Sequence, residues 1–293
     1  MPDRWVLPDR SAAFKWCQKR NELGISCILD ILGRYNRDEA EAKAARAEYI
    51  SLLNDISRSR LQASISVKPS TLGGTLNRET ALRLSQEIAE RAAELKIPFE
   101  LDIEGQRMID LTLEMAENAA RSGLPVTVAL QAYLRRTSQD IDTMLDAGAK
   151  IRLVKGAYTG DLSDFDMIQE AFKDAAEQII EWDVPFCIGT HDPDLIEWAR
   201  NRISDRDFLE YAFLKGLADE TKECMASRDG TYPSMSPSER TRRGTRPGAG
   251  PIWPSSPSWA ARPCPEQTSF YTPLFPVEIP LNENLLREAL RFF

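Results

Sequence analysis

Residues 150–158 read KIRLVKGAY, a short run in which apolar and polar residues alternate before a lysine, a glycine and a tyrosine. Its length, its composition and the closing glycine are typical of a strand that ends in a loop. Six similar runs lie on either side of it, and most are bounded by glycine or proline. They are GISCILDIL (24–32), QASISVKPS (62–70), PFELDIEG (98–105), PVTVALQAY (125–133), PFCIGTHD (185–192) and FLEYAFLKG (208–216).

Helical patterns separate these runs. Residues 77–96, NRETALRLSQEIAERAAELK, place apolar residues at i, i+3, i+4 and i+7, which predicts a helix with one face on a sheet. Residues 108–123 show a similar pattern, and Gly123 stands where a helix C-cap is expected. Alternating strands and helices indicate a parallel α/β sheet with right-handed crossovers. Seven such units within about 200 residues favour a TIM-type (β/α)8 barrel over a doubly wound sheet.

Polar residues stand at or near the predicted carboxyl ends of the strands. One strand-end polar residue is usually only a solvated side chain, but seven at equivalent positions predict an active-site mouth, because these ends converge in a barrel. The seven are Asp30, Lys68, Asp102, Gln131, Lys155, His191 and Glu210.

Composition excludes several classes of function. The chain has 293 residues, 42% of them hydrophobic, and a net charge of −8, which gives no electrostatic support to nucleic-acid binding. The first residues lack a signal-peptide pattern, and no apolar run approaches the roughly 20 residues of a membrane span. We therefore expect a cytoplasmic protein and leave open a peripheral contact with the inner face of a membrane. Five scattered cysteines and one histidine predict reduced thiols and no metal site.

Six strings in this order resemble the motifs of the proline dehydrogenase family, and the resemblance covers about residues 20–223. They are SVKPS (66–70), LDIEG (101–105), LQAYLRR (130–136), RLVKGAY (152–158), GTHD (189–192) and LEYAFLKG (209–216). Any one of them is weak evidence, whereas six in order on successive barrel units are specific.

The resemblance implies a flavoenzyme. FAD would bind in the barrel mouth with L-proline stacked on its isoalloxazine ring. Hydride transfer from proline C5 to flavin N5 would give Δ1-pyrroline-5-carboxylate, the first step of proline catabolism, and a membrane quinone would accept the electrons. The cofactor performs the redox chemistry, while the protein supplies orientation and charge.

The resemblance also implies roles for single residues. Lys68, Asp102 and Tyr158 would form the catalytic group, in which Lys68 pairs with the substrate carboxylate and Asp102 helps to hold that lysine. Leu153 and Tyr158 would pack against the proline ring. The residues implied to bind the cofactor are Gln131, Arg152, Lys155, Gly156, Thr190, His191 and Glu210. Ala212 stands where the family usually has glutamine.

The chain departs from the family after about residue 226. We predict a barrel domain over 1–226, an irregular segment rich in Pro, Ser, Gly and Arg over 227–276, and a short helix or frayed tail over 277–293. The family's eighth unit, a strand with a tyrosine and a helix with Y-x-x-R-R, is not recognisable in it. Its absence predicts open edges on the first and seventh strands and loss of the arginines that clamp the substrate carboxylate.

A frameshift near residues 225–228 would explain this departure. Permitted codons for residues 228–239, read from the third base, can give GWNVSEYVPFG. The same offset over residues 244–261 can give YEARRRAYLAELAELGR, which contains Y-x-x-R-R. We therefore predict a frameshift that replaces the eighth barrel unit, which the nucleotide sequence would test.

Two other functions stay open. One is a barrel lyase in which Lys155 forms a Schiff base, since a strand-end lysine suits that chemistry. The other is a non-catalytic remnant that binds FAD or a partner protein. A helical segment at about residues 37–58 is predicted to pack on a barrel end or on a neighbouring molecule.

Overall fold

The computed structural model describes residues 6–31, 36, 38–203, 208–217, 219–226 and 270–276, the last segment as a strand. The strands are β1 (Val6–Leu7), β2 (Ile25–Asp30), β3 (Ala63–Val67), β4 (Phe99–Leu101), β5 (Val126–Gln131), β6 (Lys150–Val154), β7 (Phe186–Gly189), β8 (Leu209–Ala212) and β9 (Phe270–Pro276). The helices are α1 (Arg10–Asn21), α2 (Glu39–Ser59), α3 (Arg78–Glu94), α4 (Ile109–Arg121), α5 (Thr137–Ala147), α6 (Phe165–Glu181), α7 (Pro193–Arg202) and α8 (Asp219–Ala226).

The strands form a closed parallel barrel. β2 to β8 pair in chain order, β9 lies between β8 and β2, and the short β1 pairs with the end of β9. The TIM-type barrel with seven recognisable strand–helix units is confirmed.

The sequence predicted open edges on the first and seventh strands, which are β2 and β8. In the structure these edges are paired, because β9 occupies the eighth position and pairs with both. It aligns with β2 over Ile25 to Leu29 and with β8 at Tyr211 and Ala212. An unpaired strand edge leaves backbone groups unsatisfied, so an extended segment that reaches both edges stabilises the closed form. β9 contains Pro273 and Pro276, which have no N–H to donate, so sequence patterns alone did not indicate a strand there.

The rest of the predicted irregular segment, residues 227–269, lies outside the described residues. So does the predicted C-terminal helix or tail over 277–293. The domain division, the frameshift and the fate of the arginines stay predictions.

Helix ends follow the local sequence. The side chains of Asp9, Asp38, Asn77 and Asp164 each accept a backbone N–H in the first turn of the helix that follows. Gly123 follows α4 with a φ of +77°, which confirms its predicted capping position.

The helix predicted at about residues 37–58 is the crossover helix α2. It connects β2 to β3 and packs beside α3, with Tyr49, Leu53 and Ile56 buried in the core. Among the described residues, no helix combines the length and the apolarity that crossing a membrane requires.

The two faces of the strands differ in chemistry. Outward residues such as Ile65, Val128 and Ile151 are buried in one apolar layer between strands and helices. The inward face carries charged and small residues, among them Glu100 and Arg152, which pair across the interior. This alternation brings polar side chains together along the barrel axis.

Candidate active site

The mouth of the barrel holds a lysine between two carboxylates. Asp30 ends β2, while Lys68 and Asp102 directly follow β3 and β4, so all three stand at the carboxyl ends of adjacent strands. The Lys68 Nζ pairs with Asp30, and it lies 3.0 Å from the Asp102 Oδ2. Only 15% of the Lys68 side chain is exposed, so its ammonium is held in place by the two carboxylates rather than by water.

Burial and charge shift the pKa values of this triad in different directions. Burial raises the pKa of Asp30 to about 6, although Lys68 opposes the shift. Burial acts to lower the pKa of Lys68, but Asp30 and Asp102 outweigh it and the pKa rises well above its usual range. Burial also acts to raise the pKa of Asp102, yet Lys68 and Arg152 together hold it below its usual range. Lys68 is therefore a cation throughout the neutral range.

Arg152 extends this triad into the barrel. Its guanidinium pairs with Glu100, and its Nη2 lies 3.3 Å from the Asp102 Oδ1. The Ser64 hydroxyl in turn donates to Glu100. The result is a buried chain of alternating charges in which each charge has a partner, as burial of charges requires.

The turn after Lys68 is fixed by another buried carboxylate. Glu104 accepts the backbone N–H of Ser70 at 2.8 Å and the Ser70 hydroxyl at 2.7 Å. The sequence placed Asp30 at the mouth without a specific role, and it gave no site role to Ser64, Glu100 or Glu104. The spacing of Glu100 could have indicated its position, because Glu100 and Asp102 are two residues apart at the end of one strand and therefore face the same side of it.

Gln131, Gly156 and Tyr158 meet in one corner of the mouth. The Gln131 Oε1 accepts from the Tyr133 hydroxyl at 2.6 Å, and that hydroxyl accepts from the backbone N–H of Tyr158 at 2.9 Å. Tyr158 is 37% exposed, and its ring faces Gly105. Gly105 lies three residues after Asp102 in the loop that follows β4, so Tyr158 lies at the same opening as the Lys68–Asp102 pair.

Lys155 is buried beside α7. Its Nζ lies 3.1 Å from the Asp192 Oδ2 and 5.0 Å from the ring centroid of Phe165. Asp192 also accepts from the Gln169 amide at 2.7 Å and from the backbone N–H of Asp194 at 3.0 Å. The lysine is thus part of a polar cluster that begins α7.

Thr190 and His191 follow β7. The Thr190 Oγ1 accepts the backbone N–H of Asp192 at 3.1 Å, and the His191 Nε2 accepts the backbone N–H of Leu214 at 2.8 Å. The imidazole lies against Phe213, with ring centroids 5.8 Å apart. Because the Nε2 accepts a hydrogen bond, it is the unprotonated nitrogen of this ring.

Two residues predicted for the site lie elsewhere. Leu153 is fully buried in the apolar layer between strands and helices. It follows Arg152 on β6, so strand alternation turns it away from the barrel interior. Its contact with the proline ring stays a prediction.

Glu210 lies near the opposite end of the barrel. It is the second residue of β8 and pairs at 2.6 Å with Lys150, the first residue of β6. Both line a cavity of about 300 Å³ together with Pro98 and Pro125, which precede β4 and β5. Since the amino ends of the strands surround this cavity, Glu210 lies nearer to that end of the barrel than to the mouth, and its contact with a cofactor stays a prediction.

A parallel barrel with charged residues converging at the carboxyl ends of its strands is the architecture of an enzyme. Comparison with known proteins identifies the family. Residues 13–161, just over half of the chain, match the family model described as proline dehydrogenase. The chain belongs to the proline dehydrogenase family.

Curated relatives agree with this assignment. Proline dehydrogenase 1 of Bacillus subtilis strain 168 is 25% identical over 238 residues, which are 76% of this chain and 77% of that protein. Proline dehydrogenase 2 of the same strain is 25% identical over 225 residues, 73% of each chain. Proline dehydrogenase of Deinococcus radiodurans is 24% identical over 243 residues, 76% of this chain and 78% of that protein.

Solved structures show the same fold. Proline utilization A from Bdellovibrio bacteriovorus, inactivated by N-propargylglycine, superposes with a TM-score of 0.71 at 14% identity over 99% of this chain. A Bradyrhizobium japonicum proline utilization A mutant gives a TM-score of 0.68 at 16% identity. The chain spans 32% and 30% of the lengths of these two proteins.

Proposed function

We propose that this chain oxidises L-proline to Δ1-pyrroline-5-carboxylate with FAD as its cofactor and a membrane quinone as electron acceptor. The observation that carries the proposal is the buried Lys68 ammonium at the barrel mouth of a proline dehydrogenase family member. A fixed cation at that position suits a substrate carboxylate. The exposed ring of Tyr158 at the same opening suits the apolar side of a pyrrolidine ring.

The donor set of the mouth fits a flavin. Arg152 and Lys155 supply fixed cations, and Gln131 supplies an amide that is already oriented by hydrogen bonds. Together with Gly156, Thr190 and His191, they are the residues that would hold the cofactor. The chemistry that FAD supplies when bound is acceptance of the hydride of proline C5 at flavin N5, followed by transfer of electrons to the quinone. Cations near a ring that gains electrons favour its reduction.

The protein's own part in the reaction is binding and orientation. Lys68 binds the substrate carboxylate, while Asp30 and Asp102 hold its ammonium in place from two sides. A substrate carboxylate competes with these two aspartates for the same cation. The family's two arginines would offset that competition, and each charge-assisted hydrogen bond contributes about 1.5–3 kcal/mol. We therefore propose that the chain binds proline more weakly than relatives that carry Y-x-x-R-R.

The test is the visible absorption spectrum of the purified protein with FAD, recorded before and after anaerobic addition of L-proline. The proposal expects flavin to bind and proline to bleach it. Lys68→Met should retain flavin and lose bleaching. Lys150→Met, which removes an ion-paired lysine at the other end of the barrel, should keep both. Failure of the native chain to bind flavin would refute the proposal. A repeat with a frame-restored chain would show whether the C-terminal segment is responsible.

The two alternative functions predict other results. A flavin that binds but stays oxidised with proline indicates the non-catalytic remnant. A Schiff-base lyase would trap a carbonyl substrate on Lys155 with borohydride. The structure favours the flavoenzyme over the lyase, because the Lys155 ammonium is engaged by Asp192, whereas Schiff-base formation needs a neutral amine.

A further inference from the structure

Tyr133 lies where the loop after β5 meets the loop after β6. Its ring is 1% exposed and sits between the backbones of Gly156 and Gly160. A methyl group added at either glycine would overlap the ring. Gly156 also has a φ of +131°, a conformation that residues with a side chain rarely adopt. The two glycines therefore leave room for this ring and for little else.

The backbone of Tyr133 binds both ends of the same loop. Its N–H donates to the carbonyl of Lys155 at 3.1 Å, and its carbonyl accepts from the N–H of Leu162 at 3.1 Å. Two residues further along the chain, the backbone N–H of Arg135 donates to the Asp161 side chain at 2.8 Å. Residues 155–162 are thus attached to the β5 loop on both sides of Gly156 and Gly160.

The hydroxyl of Tyr133 makes the central connection. It accepts the backbone N–H of Tyr158 at 2.9 Å and donates to the Gln131 Oε1 at 2.6 Å. A hydroxyl has a single hydrogen to donate, so the group that receives it must be an acceptor. This selects the oxygen of the Gln131 amide and leaves its NH₂ group as the donor, with the Nε2 3.4 Å from the carbonyl oxygen of Glu104.

We infer that Tyr133 is a positioning residue that sets the Gln131 amide and the 155–162 loop in their places at the barrel mouth. Tyr133 has no part in the residue roles that the family resemblance implies or in the proposed function above. The role of Tyr133 in cofactor binding rests on the proposed function, because Gln131, Lys155 and Gly156 are residues that would hold FAD. The effect of Tyr133 on the 155–162 loop is independent of the proposed function.

The test compares Tyr133→Phe with Tyr211→Phe, which removes a hydroxyl from another buried tyrosine, on β8. The first readout is amide hydrogen exchange of peptides that cover residues 155–162 in the flavin-free protein. Tyr133→Phe should speed this exchange about fivefold, the factor that corresponds to one typical hydrogen bond. Tyr211→Phe should leave it unchanged. Equal exchange of this loop in both variants would overturn the inference.

The second readout is the FAD titration, in which Tyr133→Phe should bind about fivefold more weakly and shift the visible absorption maximum of the bound flavin. Faster loop exchange with unchanged affinity and spectrum would overturn the claim that the loop is positioned for the mouth. If the native chain binds no FAD, the proposed function fails, and the exchange experiment alone decides whether Tyr133 positions the loop.

Discussion

Replacing Lys68 by methionine should make the stability of this protein depend on pH above neutrality. Lys68 is the cation beside Asp30, whose carboxylate is 1% exposed and is buried at the end of β2. Methionine fills a similar volume without charge, so the variant leaves Asp30 as a buried carboxylate without its lysine. Asp102 keeps its contact with Arg152, so most of the effect falls on Asp30.

The magnitude follows from the pKa of Asp30. Burial raises this pKa to about 6 in the folded protein, against about 3.9 for a free aspartate. A carboxyl whose pKa is raised on folding binds its proton more tightly in the folded state. Its contribution to stability is therefore present at low pH and falls by about 3 kcal/mol as the pH rises from about 4 to about 6. Above pH 6 this contribution no longer changes in the native chain.

Without Lys68 the pKa of Asp30 rises further, and the loss continues above pH 6. We expect the free energy of unfolding of Lys68→Met to fall by up to about 1.4 kcal/mol per pH unit between pH 6.5 and 8, relative to the native chain. At pH 8 the total loss should reach about 3 kcal/mol, within the range for breaking a buried ion pair.

Urea unfolding followed by circular dichroism at pH 5, 6.5 and 8 measures this difference. The control is Lys68→Met combined with Asp30→Asn, which removes the buried carboxylate that has lost its lysine partner and should abolish the added pH dependence. A destabilisation of Lys68→Met that is the same at all three pH values, or an added slope that persists in the double variant, would refute the assignment of Asp30 as the group that Lys68 neutralises.

Three further substitutions test other parts of the structure by urea unfolding at pH 7.5. Glu100→Gln should lower the free energy of unfolding by about 3–5 kcal/mol, because it leaves the buried Arg152 guanidinium with Asp102 as its remaining carboxylate partner; a loss under 1 kcal/mol would contradict this. Lys155→Met should lower the free energy of unfolding by clearly less than Glu100→Gln does, because Asp192 keeps the Gln169 amide and a backbone N–H as donors. A loss as large as that of Glu100→Gln would contradict this prediction. Gly148→Ala should lower the free energy of unfolding by about 1 kcal/mol through backbone strain alone, since the φ of Gly148 is +88° and an added methyl group meets no atom within 4 Å. An unchanged urea midpoint would contradict this prediction.

Much of the fold could be predicted because barrel units are local. The 3.6-residue period of residues 77–96 and the alternation in KIRLVKGAY depend on near neighbours in the chain, and both elements form as α3 and β6. Strand-end positions also placed Asp30, Lys68 and Asp102 correctly at one mouth. The closing strand β9 could not be found in this way, because its prolines disfavour a strand locally and its stability comes from pairing with β2, far away in the chain.

The positions of single side chains also depend partly on the local sequence and partly on the folded barrel. Leu153 follows Arg152 directly, and two adjacent strand residues face opposite sides, so Leu153 points to the helices because Arg152 points to the barrel interior. Glu210 is the second residue of β8, and its partner Lys150 on β6 is set by the arrangement of the strands around the barrel.

The sequence by itself determined the seven strand–helix units, the family and the identity of the charged residues at the mouth, because each depends on residue types and their spacing. Only the tertiary structure decided which charges meet. Arg152 and Glu100 are 52 residues apart in the chain, and Gln131 and Tyr158 share the hydroxyl of Tyr133 across two loops. Such partners are selected by barrel closure and by the need of every buried polar group for a partner, and both conditions exist only once the chain has folded.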